Sequence, residues 1–510
     1  MKNIYLLLPL MLLAFVSCFE DDTNYSYKPV SDIEIKNIEN LYVKVLYLGE
    51  NLEITPEINT EYTDLAYEWY LWKPSKEEYN GPEYDPDYKS EMISTERNLN
   101  HPVDEIGEAG TYTVMLKVIS KSNDYAKSFT TRLDVTTEVS RGFYILKETA
   151  DGNSELDLHY RDGEPVMANL FTAKEYGPME GKPLSLAVHF AHGYLDMIEN
   201  KPKNCRSISV ATDQGKIAFY NSENLNLTLD NTSVTYSGLA ENEIPYMSFA
   251  NGYCNHLLTS KGVTVNYVTT MGPSTGKFAT HSNKGGSTFA FGYGDDAYFW
   301  DQDNEKISYV NSMWLGEEGP NGAYEEGEFT TAGMECLACG HNETSIPAKG
   351  YFILKEKESD NQFMYVIDLS KVKPMDKVVI NSDTKLAKAT AYAFNSHNAE
   401  YIYFVYGNKL YKYSLAEKKE DATPIALEGI TAGETITQLS YQWLNDGDYS
   451  FTHLIVGTQE GNKYRVRMYD LTASIPQKLV RTIEGEGIFK SVMYMSPTAS
   501  SQGNMPPHIY

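Results

Sequence analysis

The feature that most constrains this chain is a two-strand unit that recurs along it. Tyr401–Leu415, YIYFVYGNKLYKYSL, shows it most plainly. Tyr401–Tyr406 is aromatic and β-branched, Gly407-Asn408 supplies the positive φ of a tight hairpin turn, and Lys409–Leu415 alternates. Related units stand at Phe143–Tyr160, Tyr351–Leu369 and His453–Leu471, with looser copies at Ser207–Tyr220, His256–Tyr267 and Ala297–Tyr309. The copies starting at Tyr351, Tyr401 and His453 begin about 51 residues apart, a period of repeat arrays whose units cannot each bury both faces alone.

Seven copies predict an all-β C-terminal region, a seven-bladed β-propeller over residues 141–496. Hairpin turns fall at Ser359–Asn361, Gly407-Asn408 and Glu460–Asn462. The first and last blades must meet, so Ser491–Ser496 (SVMYMS) is expected to pair near the start of the propeller and remove its exposed edges. Residues 497–510 are Ser/Pro-rich and read as a loosely held tail.

Upstream, residues 30–137 read as a small β-sandwich. Leu65–Trp72 carries Trp69, Gly110–Ser120 opens with Tyr112, and Ala126–Thr136 closes the module. A core Trp on one strand and a Tyr entering a later one are sandwich features. Lys73–Glu91 is a long insert holding Tyr79, Tyr84 and Tyr88. It reads either as a Tyr-rich contact surface or as a loop packed on its own domain. Glu138–Arg141 is a short linker into the repeats.

A net charge of −27 argues against nucleic acid and against anionic membrane surfaces; it fits solubility, or a cationic ligand. Met1–Asn3 is a short basic segment and Ile4–Val16 an apolar run of signal-peptide length. Ala14-Phe15-Val16-Ser17-Cys18 resembles a bacterial lipoprotein signal, which implies removal of residues 1–17 and lipidation of Cys18. An ordinary secretory signal is the alternative. Residues 18–29 form the tether, and its acidic start, Phe19–Asp22, resembles a surface-export signal. The lipid would be the anchor, on the outer face of the outer membrane.

No catalytic motif, metal site or cofactor site emerges. His189 and His192 form an H-x-x-H in a strand context, where the two rings would point to opposite sides. Cys336 and Cys339 form a C-x-x-C without the second pair of a zinc ribbon; they read as small buried residues or a local disulfide. Trp300–Glu305 has closely spaced oxygens but lacks the Gly and distal Glu of a calcium loop, so it reads as a hairpin turn. Two long connections would crowd one face. Met271–Ser287 carries Lys277, His281 and Lys284, and Trp314–Cys339 carries Glu317, Glu318, Glu325, Glu326 and Glu328. Tyr79, Tyr84, Tyr88, Trp314 and Tyr324 are the candidate ligand contacts.

The run YEWYLW followed by GEAGTYTVMLKVIS, behind a lipoprotein-type N-terminus, resembles the PKD-like family of Bacteroidetes lipoproteins. The resemblance implies an Ig/PKD-like sandwich and company: such lipoproteins stand beside SusC/SusD-like outer-membrane importers. The chain would then be a non-catalytic accessory subunit that binds or presents oligopeptide or glycan cargo. The scarcity of tryptophans in the repeats (Trp300, Trp314 and Trp443) leans to peptide. A propeller-based hydrolase or lyase, supported if His189, His192, His281 or His341 joined carboxylates on one face, and a cell-surface adhesin are the alternatives.

Overall fold

The computed structural model describes residues 31–46, 48–73, 90–160, 167–197, 200–251, 254–267, 275–279, 286–310, 321–323, 329–472, 475–476, 478–497, 499 and 508–509. Cys18, Tyr79, Tyr84, Tyr88, Trp314, Tyr324, His281, Lys284 and the Glu317–Glu328 run lie outside them. The fold is all-β. Among the described residues the one α-helical segment is the four-residue turn Leu170–Ala173. No described helix is long and apolar enough to cross a membrane.

The chain divides into two compact units. The first holds residues up to Tyr42, Asn51–Pro102 and Tyr112–Leu133; the second holds Val43–Glu50, Val103–Thr111 and everything from Asp134. A five-stranded sheet dominates the sandwich. Its order is β1 (Leu41–Val45), β5 (Ala126–Thr136), β4 (Gly110–Ser120), β2 (Leu65–Trp72), β3 (Glu91–Ser94). Two-residue alternation along β2 buries Trp69 and Leu71. Trp69 is fully enclosed, and its indole N–H donates to the Glu96 carbonyl at 3.0 Å, so the one polar atom of the ring is satisfied. Tyr112, on β4, is buried as well.

In the second unit the described strands form seven antiparallel sheets in chain order. Six begin with an inner strand and step outward by hairpins. The inner strands are β8 (Pro183–Asp196), β9 (Pro245–Asn251), β10 (Ala290–Tyr293), β11 (Met334–Asn342), β12 (Ala391–Phe394) and β13 (Thr435–Leu444). Within the last sheet, β13 pairs with β14 (Phe451–Glu460), and β14 with β15 (Lys463–Asp470). The first sheet is built differently. Here β6 (Gly142–Glu148) lies between β7 (Ser154–His159) and β16 (Ile488–Met495), with Tyr144 opposite Met493 and Ile145 opposite Val492. The chain end anticipated at SVMYMS is therefore the partner of the first strand. Each inner strand lies against the next, from β8 through β13 to β16, and β16 lies against β8. The arrangement is propeller-like.

Hydrophobic residues run without alternation in these strands because both faces are covered. Ile402–Val405 are all buried. Phe404 packs with Ile353 and Met364 of the fifth sheet, whereas Tyr403 next to it packs with Tyr441 and Val456 of the seventh. Burying such a side chain contributes roughly 1.5–3 kcal/mol. The hairpin turn has Gly407 at φ 57° and Asn408 at φ 60°, the type I′ geometry. The Asn408 amide then donates to the Glu434 carbonyl at 2.8 Å and its carbonyl oxygen accepts from Ile436 N at 2.7 Å, tying the sixth sheet to the seventh.

Candidate functional site

Three adjacent inner strands, β11, β12 and β13, deliver polar and aromatic groups at their C-terminal ends. β11 runs out through His341-Asn342 to Glu343. β12 runs out through Asn395 and Ser396 to His397. Trp443 is the penultimate residue of β13. The ends are tied by amides. Asn342 Nδ2 donates to the carbonyls of Asn395 (2.6 Å) and Ala399 (2.9 Å), and the Glu343 N–H donates to Ser396 O at 2.8 Å. These bonds fix the Glu343 backbone beside His397.

The side chains then meet. His341 donates from Nε2 to Glu343 Oε1 at 3.0 Å, and His397 Nε2 lies 3.7 Å from Oε2. Ser396 Oγ lies 2.5 Å from His397 Nδ1. The His397 ring stacks on Trp443, centroids 4.2 Å apart and planes 13° apart. On the other side His341 stacks on Phe291 of β10 at 5.4 Å, with Tyr293 edge-on at 6.3 Å. Room for Phe291 comes from Gly350, opposite His341 in the register: a Cβ there would meet the Phe291 ring at 2.9 Å. His341 is fully buried, while Glu343 keeps 36% of its side chain in solvent.

Burial alone would raise the Glu343 carboxyl. The His341 hydrogen bond and the two imidazoles outweigh it and hold the group below its ordinary value. Burial pulls His397 down to about 4 against the attraction of Glu343. The result is a partly exposed carboxylate beside two imidazoles and an aromatic platform. That arrangement suits a ligand offering a cation or hydrogen-bond donors together with an apolar face. Among the described residues no group of three or more His, Cys, Asp or Glu is placed to hold a metal.

The other sequence candidates resolve into structure. His189 and His192 do not point to opposite sides: a register shift between them brings their rings to 5.7 Å. Both are buried. His189 is held by Asn255 Oδ1 at 2.9 Å and Ser209 Oγ at 3.0 Å, and burial pulls it down to about 4. Of the two readings for Cys336 and Cys339, the disulfide falls. Both thiols are free and buried, and burial pushes them up. Asp301 caps the hairpin turn 301–306, accepting from Asn304 N at 2.9 Å. Of the histidines expected to mark a site, His341 joins a carboxylate. Glu343 and His397 are not found by sequence reasoning; the available signal is a polar triplet, His341–Glu343 or Ser396–Asn398, closing an apolar strand.

Comparison with known proteins bears on the N-terminal part. Residues 18–183 match the PKD-like family. The match covers the sandwich and runs into the second unit. No curated protein gives a significant match. Among solved structures, a quinonprotein alcohol dehydrogenase-like protein from Bacteroides thetaiotaomicron is 14% identical over 92% of this chain and 100% of its own, TM-score 0.43. AztD from Citrobacter koseri is 11% identical over 84% of this chain and 97% of its own, TM-score 0.38. The Dos1 propeller is 12% identical over 59% of this chain and 85% of its own, TM-score 0.36. Likeness at this level speaks to neither ligand nor activity.

Proposed function

We propose that this chain is a non-catalytic lipoprotein of the outer-membrane surface, anchored through Cys18, in which a PKD-like sandwich carries a seven-bladed propeller. In this reading it is an accessory subunit of a SusC/SusD-like importer and presents oligomeric cargo, peptide or glycan, on the propeller. Seven successive sheets, the cyclic contacts of their inner strands and the pairing of β6 with β16 support the ring. The single observation that carries the binding role is the Glu343–His397–Trp443 constellation. Three sheets contribute to it, so it exists only once they are assembled. An affinity pull-down from detergent-solubilised outer membranes, with a tagged copy of this protein as bait, tests the reading. Recovery of a SusC/SusD-like pair is expected; recovery of the bait alone contradicts the importer role.

A second reading, hydrolysis of surface glycan or peptide, draws on one specific observation. Ser396, His397 and Glu343 lie in sequence at 2.5 and 3.7 Å, an alcohol, an imidazole and a carboxylate. Ser396 is fully buried, which places its hydroxyl out of a substrate's reach. Turnover of peptide or glycan substrates that is lost in Ser396→Ala would favour it over the binding role.

A further inference from the structure

The fourth sheet has a strand that the repeat does not supply. Residues His508–Ile509, here β17, pair antiparallel with the inner edge of β10: Ala290 faces Ile509 and Phe291 faces His508. Among the described residues, every other inner strand from β8 to β13 carries no such added strand. β17 also lies against β13, the inner strand of the seventh sheet. It therefore occupies the space that the inner strands of the fourth and seventh sheets share.

The edge it occupies is suited to strand addition. β10 is Ala-Phe-Gly-Tyr, with no charge and no proline to block pairing. Its Phe291 and Tyr293 carry the His341 ring, and Glu343 lies close enough to Tyr293 to raise its phenol, behind the larger effect of burial. A segment laid along β10 thus pairs with the strand whose Phe291 and Tyr293 rings pack on His341, the imidazole bonded to the Glu343 carboxylate. Main-chain pairing would supply affinity and the flanking side chains selectivity, as in β-strand addition generally. A carboxylate in a chain of net charge −27 selects for a basic side chain.

We propose that the inner edge of β10 is a binding site for an extended peptide carrying a basic residue, and that residues 508–509 are its resident, competing occupant. The proposal rests on the cargo-binding reading above and names the cargo class. A glycan has no main chain to pair with this edge, so it is not the ligand of this site.

The test uses the full chain and a His508→Pro/Ile509→Pro variant, in which proline removes the N–H donors of β17. The probe is a fluorescein-labelled hexapeptide alternating Val and Lys, with its Val/Glu counterpart and maltohexaose as controls. Displacing the resident strand is expected to tighten Val/Lys binding about tenfold, because the competent state is no longer masked. Adding Glu343→Gln to that variant should weaken it about fivefold, the scale of one partly exposed ion pair. Amide exchange at 290–293 should rise in the proline variant and fall again with peptide, which separates displacement from unfolding. Unchanged affinity in the proline variant, or equal binding of the Val/Glu peptide, overturns the proposal. Binding of maltohexaose but not of peptide overturns this inference and leaves the cargo role standing. Binding of neither probe, with no importer recovered in the pull-down, overturns both.

Discussion

The Tyr464 hydroxyl donates to the Asp157 carboxylate at 2.5 Å, joining β15 of the last sheet to β7 of the first. Asp157 also receives Lys147 Nζ at 2.7–2.8 Å, and all three side chains are buried. Sequence ends that are far apart are thus locked by a charge-assisted bond out of water. Tyr464→Phe is expected to cost about 1.5–3 kcal/mol in urea unfolding. Lys147→Met, which strands a buried carboxylate, should cost more, about 3–5 kcal/mol, and the Lys147→Met/Asp157→Leu double variant should recover part of it.

A second buried pair sits within the seventh sheet. Arg467 donates to Glu434 through Nη1 (2.6 Å) and Nη2 (2.9 Å), with Thr431 and Thr458 adding hydrogen bonds. Burial by itself raises the Glu434 carboxyl; the Arg467 and threonine bonds overcome it and bring the group to about 2. A carboxyl depressed in the folded state stabilises above its unfolded value and loses that contribution as pH falls towards 2. Glu434→Gln should therefore lower stability by about 3–5 kcal/mol at pH 7. The gap to the parent protein should shrink between about pH 4.5 and 2, as followed by urea midpoints across that window.

Buried imidazoles act in the same pH direction over a higher window. Burial pulls His189 and His397 to about 4 and His192 and His256 to about 3, so all four stay neutral in the folded protein. The unfolded chain takes up these protons near 6.5, so stability falls as pH drops below that value. At pH 5 each contributes a loss of about 2 kcal/mol relative to pH 7. The urea midpoint should drop between pH 7 and 5, and histidine Cε1 resonances of the folded protein should show these rings still neutral at pH 5.

Gly457 lies under a ring. A Cβ at this position would meet Phe489 at 2.2 and 2.3 Å, across the junction of β14 and β16. Gly457→Ala is expected to cost about 1–3 kcal/mol by overpacking. Gly457→Ala/Phe489→Leu, which shortens the obstructing side chain, should cost less than the single change, as compared by thermal midpoints.

These residues show where the sequence is legible. The hairpin of Tyr401–Ser414 can be read because its turn chemistry and its apolar runs are local and agree. Strands Leu65–Trp72 and Gly110–Ser120 stand where their alternation puts them, and Ala126–Thr136 is the strand expected to follow them. The His189/His192 geometry cannot be read, since a one-residue bulge reverses which side a ring faces and leaves no mark in composition. Glu343 and His397 meet only because β11 and β12 end level with each other, a relation between sheets rather than within one. The strand at His508–Ile509 is two residues long, too short for any periodic signal.

Pairing of β6 with β16 joins the first strand of the repeats to the last, and closure of the ring rests on it. Amide hydrogen exchange on the intact protein under native conditions tests it most directly. Residues 142–148 and 488–495 are expected to be protected to the same extent and to open together, in the slowest-exchanging class of the second unit. Rapid exchange at 142–148, independent of 488–495, would show an open edge in place of a closed ring and would contradict closure through β6 and β16.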